Sequence, residues 1–268
     1  MNASGVVNEL SCLFFLIPRG LLRHLQHSLR FESFVALSPT YQNMTASSTL
    51  PNAIHPFHLS IPQSTLDDLQ TRLRLTRWPH REPVADWSQG VPLAAIQDLC
   101  SYWQEQYDWC RCEALLNSYP QFTTTIDSVE IYFLHIRSKH DNALPLLITH
   151  GWPGSVLEFR HVIEELVDPE ESGDAFHLVI PALPGYAFSG KPEETGWGIE
   201  RTARAWAQLM QRLGYADAES GWAAQGGDWG AHVTASLGQL APKGLKGVHF
   251  NSLYFETKVN HLSTKPHR

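Results

Sequence analysis

The sequence predicts an α/β fold, a parallel sheet with flanking helices. Three observations carry the prediction. From Pro145 onward, short apolar runs alternate with helical periodicities, as parallel strands do with their crossover helices. Two of the runs, Pro145 to Thr149 and Gly221 to Gln225, are apolar almost throughout, as strands covered on both faces are. Both end in glycine-rich turns that lead directly into a helical pattern.

The elements follow in chain order. Leu10 to Ile17 is apolar but too short to span a bilayer. Arg19, Arg23 and Arg30 follow it, where a secretory signal would place its positive charges ahead of the run. Met44-Thr45-Ala46-Ser47-Ser48 reads as a natural start, so residues 1–50 are taken as a disordered extension or a gene-model artefact. Ile54 to Ile61 alternates as a strand. Pro62 and Ser64 introduce a helix carrying Leu66, Leu69 and Leu73, and Trp78 to Pro92 is an extended loop. Leu93 to Tyr107 is helical, and Thr123 to Arg137 forms a hairpin-like pair of strands with Ile126, Val129, Ile131 and Phe133 inside. A helix is expected after Ser155 with Val156, Phe159, Val162, Ile163 and Leu166 on one face. Phe176 to Ile180, Ile199 to Leu213, Trp222 to Gln225 and Leu245 to Asn251 complete the alternation.

Composition narrows the function classes. At 268 residues, with 43% hydrophobic and 18% charged residues, the chain is that of a globular protein with a substantial core. A formal charge of -7 argues against nucleic acid as a partner. Cys110-Arg111-Cys112 is too tightly spaced for a zinc knuckle and no second pair follows, so reduced thiols and no metal are expected.

The chemistry centres on Gly226-Gly227-Asp228-Trp229-Gly230. Small residues around a central nucleophile let a strand turn sharply into a helix and push that side chain out at the carboxyl edge of the sheet. An aspartate there is a covalent nucleophile suited to a saturated carbon bearing a leaving group, such as an epoxide carbon or an alkyl halide. Upstream, His150-Gly151-Trp152-Pro153-Gly154-Ser155 closes the other apolar strand. Position assigns the backbone N–H groups of Trp152 and Trp229 to an oxyanion hole. Pro153 and the glycines shape the loop, and His150 is read as holding it by hydrogen bonds rather than as a base. Gly151, Pro153 and Tyr186 are counted with His150 as loop and pocket support.

These stretches, with Pro184-Gly185-Tyr186-Ala187-Phe188-Ser189 and the segment from Tyr107-Asp108-Trp109 through Glu113 and Asn117 to Phe122, resemble the microsomal-type epoxide hydrolases of the α/β-hydrolase superfamily, including their fungal relatives. The resemblance runs from about Ile54 to about Asn251. It implies an N-terminal wrapping region over residues 51–140 and the first half of an α/β-hydrolase core over residues 141–268. It implies opening of a small-molecule epoxide to a vicinal diol through an ester on Asp228, without a cofactor, in detoxification or secondary metabolism. In that family a lid with two tyrosines, an orienting acid and a general-base histidine follow the sixth core strand, which here corresponds to Leu245 to Asn251. Those residues have no matching positions here, so the chain is read as truncated, with an incomplete core. The alternative is a catalytically incomplete member that acts through a partner chain, with the sixth-strand edge as an association surface. His232 is expected to pack beneath the elbow, and His249, at a strand end, is taken as structural. A cytoplasmic location is expected, with membrane association or an organelle as alternatives set by the N-terminal extension.

Overall fold

The computed structural model describes residues 53–170 and 175–252, so the proposed extension and the tail with His261 and His267 lie outside the described residues. Seven strands form one mixed sheet: β1 (Ile54–Phe57), β2 (Gln121–Ile126), β3 (Val129–Ile136), β4 (Leu144–Thr149), β5 (Phe176–Pro181), β6 (Trp222–Gly226) and β7 (Leu245–Phe250). Their order across the sheet is β1-β2-β3-β5-β4-β6-β7. The β1 to β3 meander is antiparallel and joins β5 antiparallel; β5, β4, β6 and β7 are parallel.

Alternation along β3 explains the layers. Ile131 and Phe133 point into a core with Trp206, Leu209 and Met210 of α5 (Ile199–Arg212) and Val233 and Leu237 of α6 (Trp229–Leu240). Tyr132 and Leu134 face the other way, onto Cys112 and Leu116 of α3 (Trp109–Asn117) and Ile163 of the short α4 (Ile163–Val167). Helices therefore cover both faces of a mostly parallel sheet, and its central strands can afford to be apolar on both sides.

The N-terminal helices α1 (Gln63–Arg74) and α2 (Leu93–Glu105) form a small cluster around Leu99 and Trp103. Polar side chains of α3 tie the incoming chain to the sheet. Asn117 Oδ1 accepts from the Leu59 amide at 3.0 Å and from Gln121 Nε2 at 2.8 Å, while its Nδ2 donates to the Leu59 carbonyl at 2.8 Å. Glu113 accepts from the Ile61 amide at 2.8 Å and from Trp109 Nε1 at 3.2 Å. Asn117→Ala strands both backbone groups of Leu59, itself 2% exposed. A loss of about 2 kcal/mol is expected, read as a lower urea midpoint at unchanged slope.

Two sequence expectations need correction. The strand from Ile54 ends at Phe57 rather than Ile61, because Leu59 and Ile61 pair with α3 side chains instead of with a neighbouring strand. The helix expected after Ser155 is broken. A 3-10 turn, Val156–Phe159, is capped by the Ser155 hydroxyl accepting from Leu157 N–H at 3.3 Å, and α4 starts afresh at Ile163. Val162, expected on the buried face, is 39% exposed.

Candidate active site

The register of two parallel strands builds the site. Thr149 of β4 pairs with Gly226 of β6, so the loops leaving both carboxyl ends start side by side. Because β4 lies between β5 and β6, this is also where the strand order reverses, the place where parallel sheets leave a crevice. Asp228 follows Gly226 with φ 50° and ψ -125° and immediately precedes α6. A non-glycine residue held there carries strain of about 1–3 kcal/mol.

The opposing loop meets it directly. Trp152 N–H donates to Asp228 Oδ1 at 2.7 Å. Gly151 lies so close that a Cβ on it would stand 2.5 Å from Asp228 Cβ and 2.8 Å from Oδ1. Gly154 N–H closes a turn onto the Gly151 carbonyl at 3.0 Å, around the cis Trp152–Pro153 peptide. Asp228 is exposed, as are Trp152 and Trp229 at 45% and 49%, so the carboxylate lies at an open surface.

His150 is completely buried, and both ring nitrogens are engaged. Nε2 accepts from Leu183 N–H at 3.1 Å, which puts the ring proton on Nδ1, where it donates to the Gly151 carbonyl at 2.9 Å. Burial pushes its pKa down to about 4, against weaker opposing effects from the Gly151 hydrogen bond and the Asp228 charge. The ring thus links the Gly151 loop to the Pro184–Ser189 loop, where Tyr186 packs against it with ring centroids 5.4 Å apart. Burial, then the Asp228 charge, raise the Tyr186 phenol. A folded pKa below the unfolded value means that His150 contributes stability above about pH 6.5 that is lost as pH falls through about 4. Acid should therefore cost about 3 kcal/mol from this residue between pH 7 and pH 4, and His150→Gln should flatten that part of a urea-midpoint profile.

The other histidines near the elbow lie on α6 and β7. His232 is half-buried on α6 with its ring 5.8 Å from that of Trp229. His249 is exposed on β7, opposite Gln225. A residue that sequence reasoning passed over is Glu158. Its carboxyl fills the space beside Gly154, and burial, opposed by hydrogen bonds from Gly151 and Ser155, pushes its pKa up to about 7. The H-G-W-P-G-S stretch offered no signal for it, since the glutamate stands three residues past the motif.

A cavity of about 410 Å³ lies elsewhere, between α1, the α2–α3 segment and the Ser155–Leu157 and Ala187–Phe188 loops. Asp228 does not line it; the candidate site is taken at the elbow, where carboxylate and donor converge. Among the described residues no group of histidines, cysteines and acids is arranged to hold a metal, and no helix is long and apolar enough to cross a membrane.

A sheet of this order, with an acidic elbow and a facing glycine loop, defines an α/β-hydrolase core, and the family profile for the alpha/beta hydrolase fold matches residues 145–266. The profile for the epoxide hydrolase N terminus matches residues 54–159. A protein of Stigmatella aurantiaca (strain DW4/3-1), provisionally named an epoxide hydrolase, is 55% identical over 80% of this chain and 49% of its own length. The solved Aspergillus niger epoxide hydrolase superposes with a TM-score of 0.69 at 37% identity, over 76% of this chain and 54% of that one. The juvenile hormone epoxide hydrolase of the silkworm Bombyx mori gives a TM-score of 0.68 at 32% identity, over 75% of this chain and 53% of that one. The chain belongs to the epoxide hydrolase family of the α/β-hydrolase superfamily. It spans about half the length of the relatives it matches.

Proposed function

We propose that this chain attacks small-molecule epoxides through Asp228, as the first half of an epoxide-to-diol hydrolysis. The observation that carries the reading is the 2.7 Å hydrogen bond from Trp152 N–H to Asp228 Oδ1. It divides the carboxylate into two oxygens with different tasks. Oδ1 is held by the loop, and Oδ2 remains to form the bond to carbon. As that bond forms, the epoxide C–O bond breaks and the ring oxygen leaves as an alkoxide that takes up a proton. Attack of water on the ester carbon would then put the developing negative charge on Oδ1, where the Trp152 and Trp229 amides serve as the oxyanion hole. His150, neutral and occupied at both nitrogens, serves as a support for the loop; Gly151, Pro153 and Tyr186 shape its surroundings.

Residues 51–140 are proposed as the wrapping region and residues 141–268 as the hydrolase part. No cofactor takes part in the proposed chemistry, and a cytoplasmic location remains the proposed one. The test is mass spectrometry of the full chain after incubation with an aryl epoxide. The expected result is either diol turnover or a persistent adduct on the Asp228 peptide, the adduct alone indicating a chain that completes only the first step. Absence of both adduct and diol would overturn the reading.

A further inference from the structure

The chain carries a formal charge of -7, yet one short stretch has the opposite character. Between Thr71 and Arg81 stand Arg72, Arg74, Arg77, His80 and Arg81, with no acid among them. Every residue from Arg74 to Arg81 is exposed. Two of them are large and apolar, Leu75 at 74% exposure and Trp78 at 38%. Single exposed apolar residues are ordinary, but an apolar pair set among cations is a distinct kind of surface.

Local structure accounts for only part of it. Arg72 and Arg74 stand in the last turn of α1, where cations suit the helix end, and Arg72 pairs with Asp68 at 2.8 Å. Arg77 and Arg81 lie past the helix, and among the described residues no acid pairs with them. Glu82, next along the chain, accepts from the Leu93 amide at 3.0 Å. Beside this stretch, α1 and α2 border a cavity of about 320 Å³ whose walls include Arg74, Trp78, Gln97, Ser101 and Gln104, and no acid. Arg74 gives one of the five guanidinium donors to Thr71 Oγ1 at 3.0 Å. A guanidinium, two amides and a hydroxyl around one space suit a phosphate group. Trp78 belongs both to that wall and to the exposed apolar pair.

We propose that this surface seats the chain on an anionic lipid bilayer. Leu75 and the Trp78 indole enter the boundary between headgroups and acyl chains, Arg77 and Arg81 meet lipid phosphates, and the cavity beside Arg74 takes one phosphate headgroup. An acidic protein would satisfy the arginines but would offer Leu75 no apolar layer, so charge and apolarity together favour the membrane. The chain rests on the bilayer rather than crossing it, and among the described residues no helix is long and apolar enough to cross. The charge of -7 orients the molecule instead of preventing contact. Charges more than about 8 Å from the surface are screened at physiological salt, so the arginine stretch is attracted and other faces are turned away. None of these residues belongs to the Asp228 elbow, and the inference stands whether or not Asp228 is a nucleophile.

The test is sedimentation of the full chain with vesicles of phosphatidylcholine alone and of an equimolar mixture with phosphatidylglycerol. At low salt the mixture is expected to bind about tenfold more protein, and about 0.5 M KCl to release it. Arg74→Gln, Arg77→Gln and Arg81→Gln should each lower the partition coefficient about two- to fivefold. Leu75→Ser combined with Trp78→Ser should lower it about tenfold or more. All these positions are exposed, so urea midpoints should stay at the parental value. Leu240→Ser, which removes a side chain 44% exposed at the end of α6, should leave binding unchanged. Inorganic phosphate at constant ionic strength should not displace the protein. Equal binding to both kinds of vesicle, or to neither, would overturn the proposal, as would an equal loss in Leu240→Ser. Release by inorganic phosphate would make the cavity a site for the free ion, and retention on polyglutamate without vesicle binding would make the partner an acidic protein; either overturns it.

Discussion

Asp228→Asn should abolish covalent capture of an aryl epoxide, lowering the rate of adduct formation by more than about 10⁴-fold, the scale on which loss of a covalent nucleophile acts. The substitution is nearly isosteric. Asparagine keeps a carbonyl oxygen to accept from Trp152 N–H at the position where Oδ1 accepts at 2.7 Å, and it tolerates the backbone at φ 50°. What it lacks is an anionic second oxygen, so the change isolates nucleophilicity from architecture. The measurement is the time course of mass addition to the Asp228 peptide in the two proteins, with urea midpoints confirming equal folding. Adduct formation at the parental rate on another residue would move the nucleophile away from the elbow.

Gly230→Ala should unfold the hydrolase part of the chain or cost about 4 kcal/mol or more. Residue 230 lies in the first turn of α6, where that helix crosses the carboxyl end of β4. A methyl group there would run into the Thr149 carbonyl oxygen and would stand 2.9 Å from the His150 carbonyl oxygen. Neither atom is the free end of a flexible side chain. They belong to the last residue of β4 and the one after it, where the Trp152 loop begins, so relief requires α6 to move off the sheet. Gly226 is bound by the same contact from the other side, because its Cβ would meet the Gly230 carbonyl. Circular dichroism and urea unfolding would report the loss. Gly238→Ala is the internal control: on the same helix, its Cβ would meet only Val248 side-chain atoms, the nearest at 3.3 Å. An alanine at 230 as stable as the one at 238 would show that the elbow does not need its close approach.

These two results separate what is legible in a linear sequence from what is not. The elbow could be read because its determinants are consecutive: small residues on both sides of Asp228 are the requirement for a tight strand-to-helix turn. The glycine loop after β4 was legible for the same reason, and so was the inward set of Ile126, Val129, Ile131 and Phe133, since the period of two is a property of the strand itself. The break after Ser155 was not, although the spacing of Val156, Phe159, Ile163 and Leu166 suits a helix. Periodicity cannot register that Ser155 caps a 3-10 turn there and that Glu158 must bend back onto Gly154.

By itself, then, the sequence determined the alternation of strands and helices, the acidic elbow and the family, all of which rest on neighbours along the chain. The tertiary structure alone decided which groups those residues meet. Pairing of Thr149 with Gly226 brings Trp152 to Asp228 across 76 positions, burial leaves His150 neutral with both nitrogens bound, and Glu158 folds back against Gly154 of the same loop. The physical reason is that charge and hydrogen bonding depend on distance and on exclusion of water, and neither is a property of sequence separation.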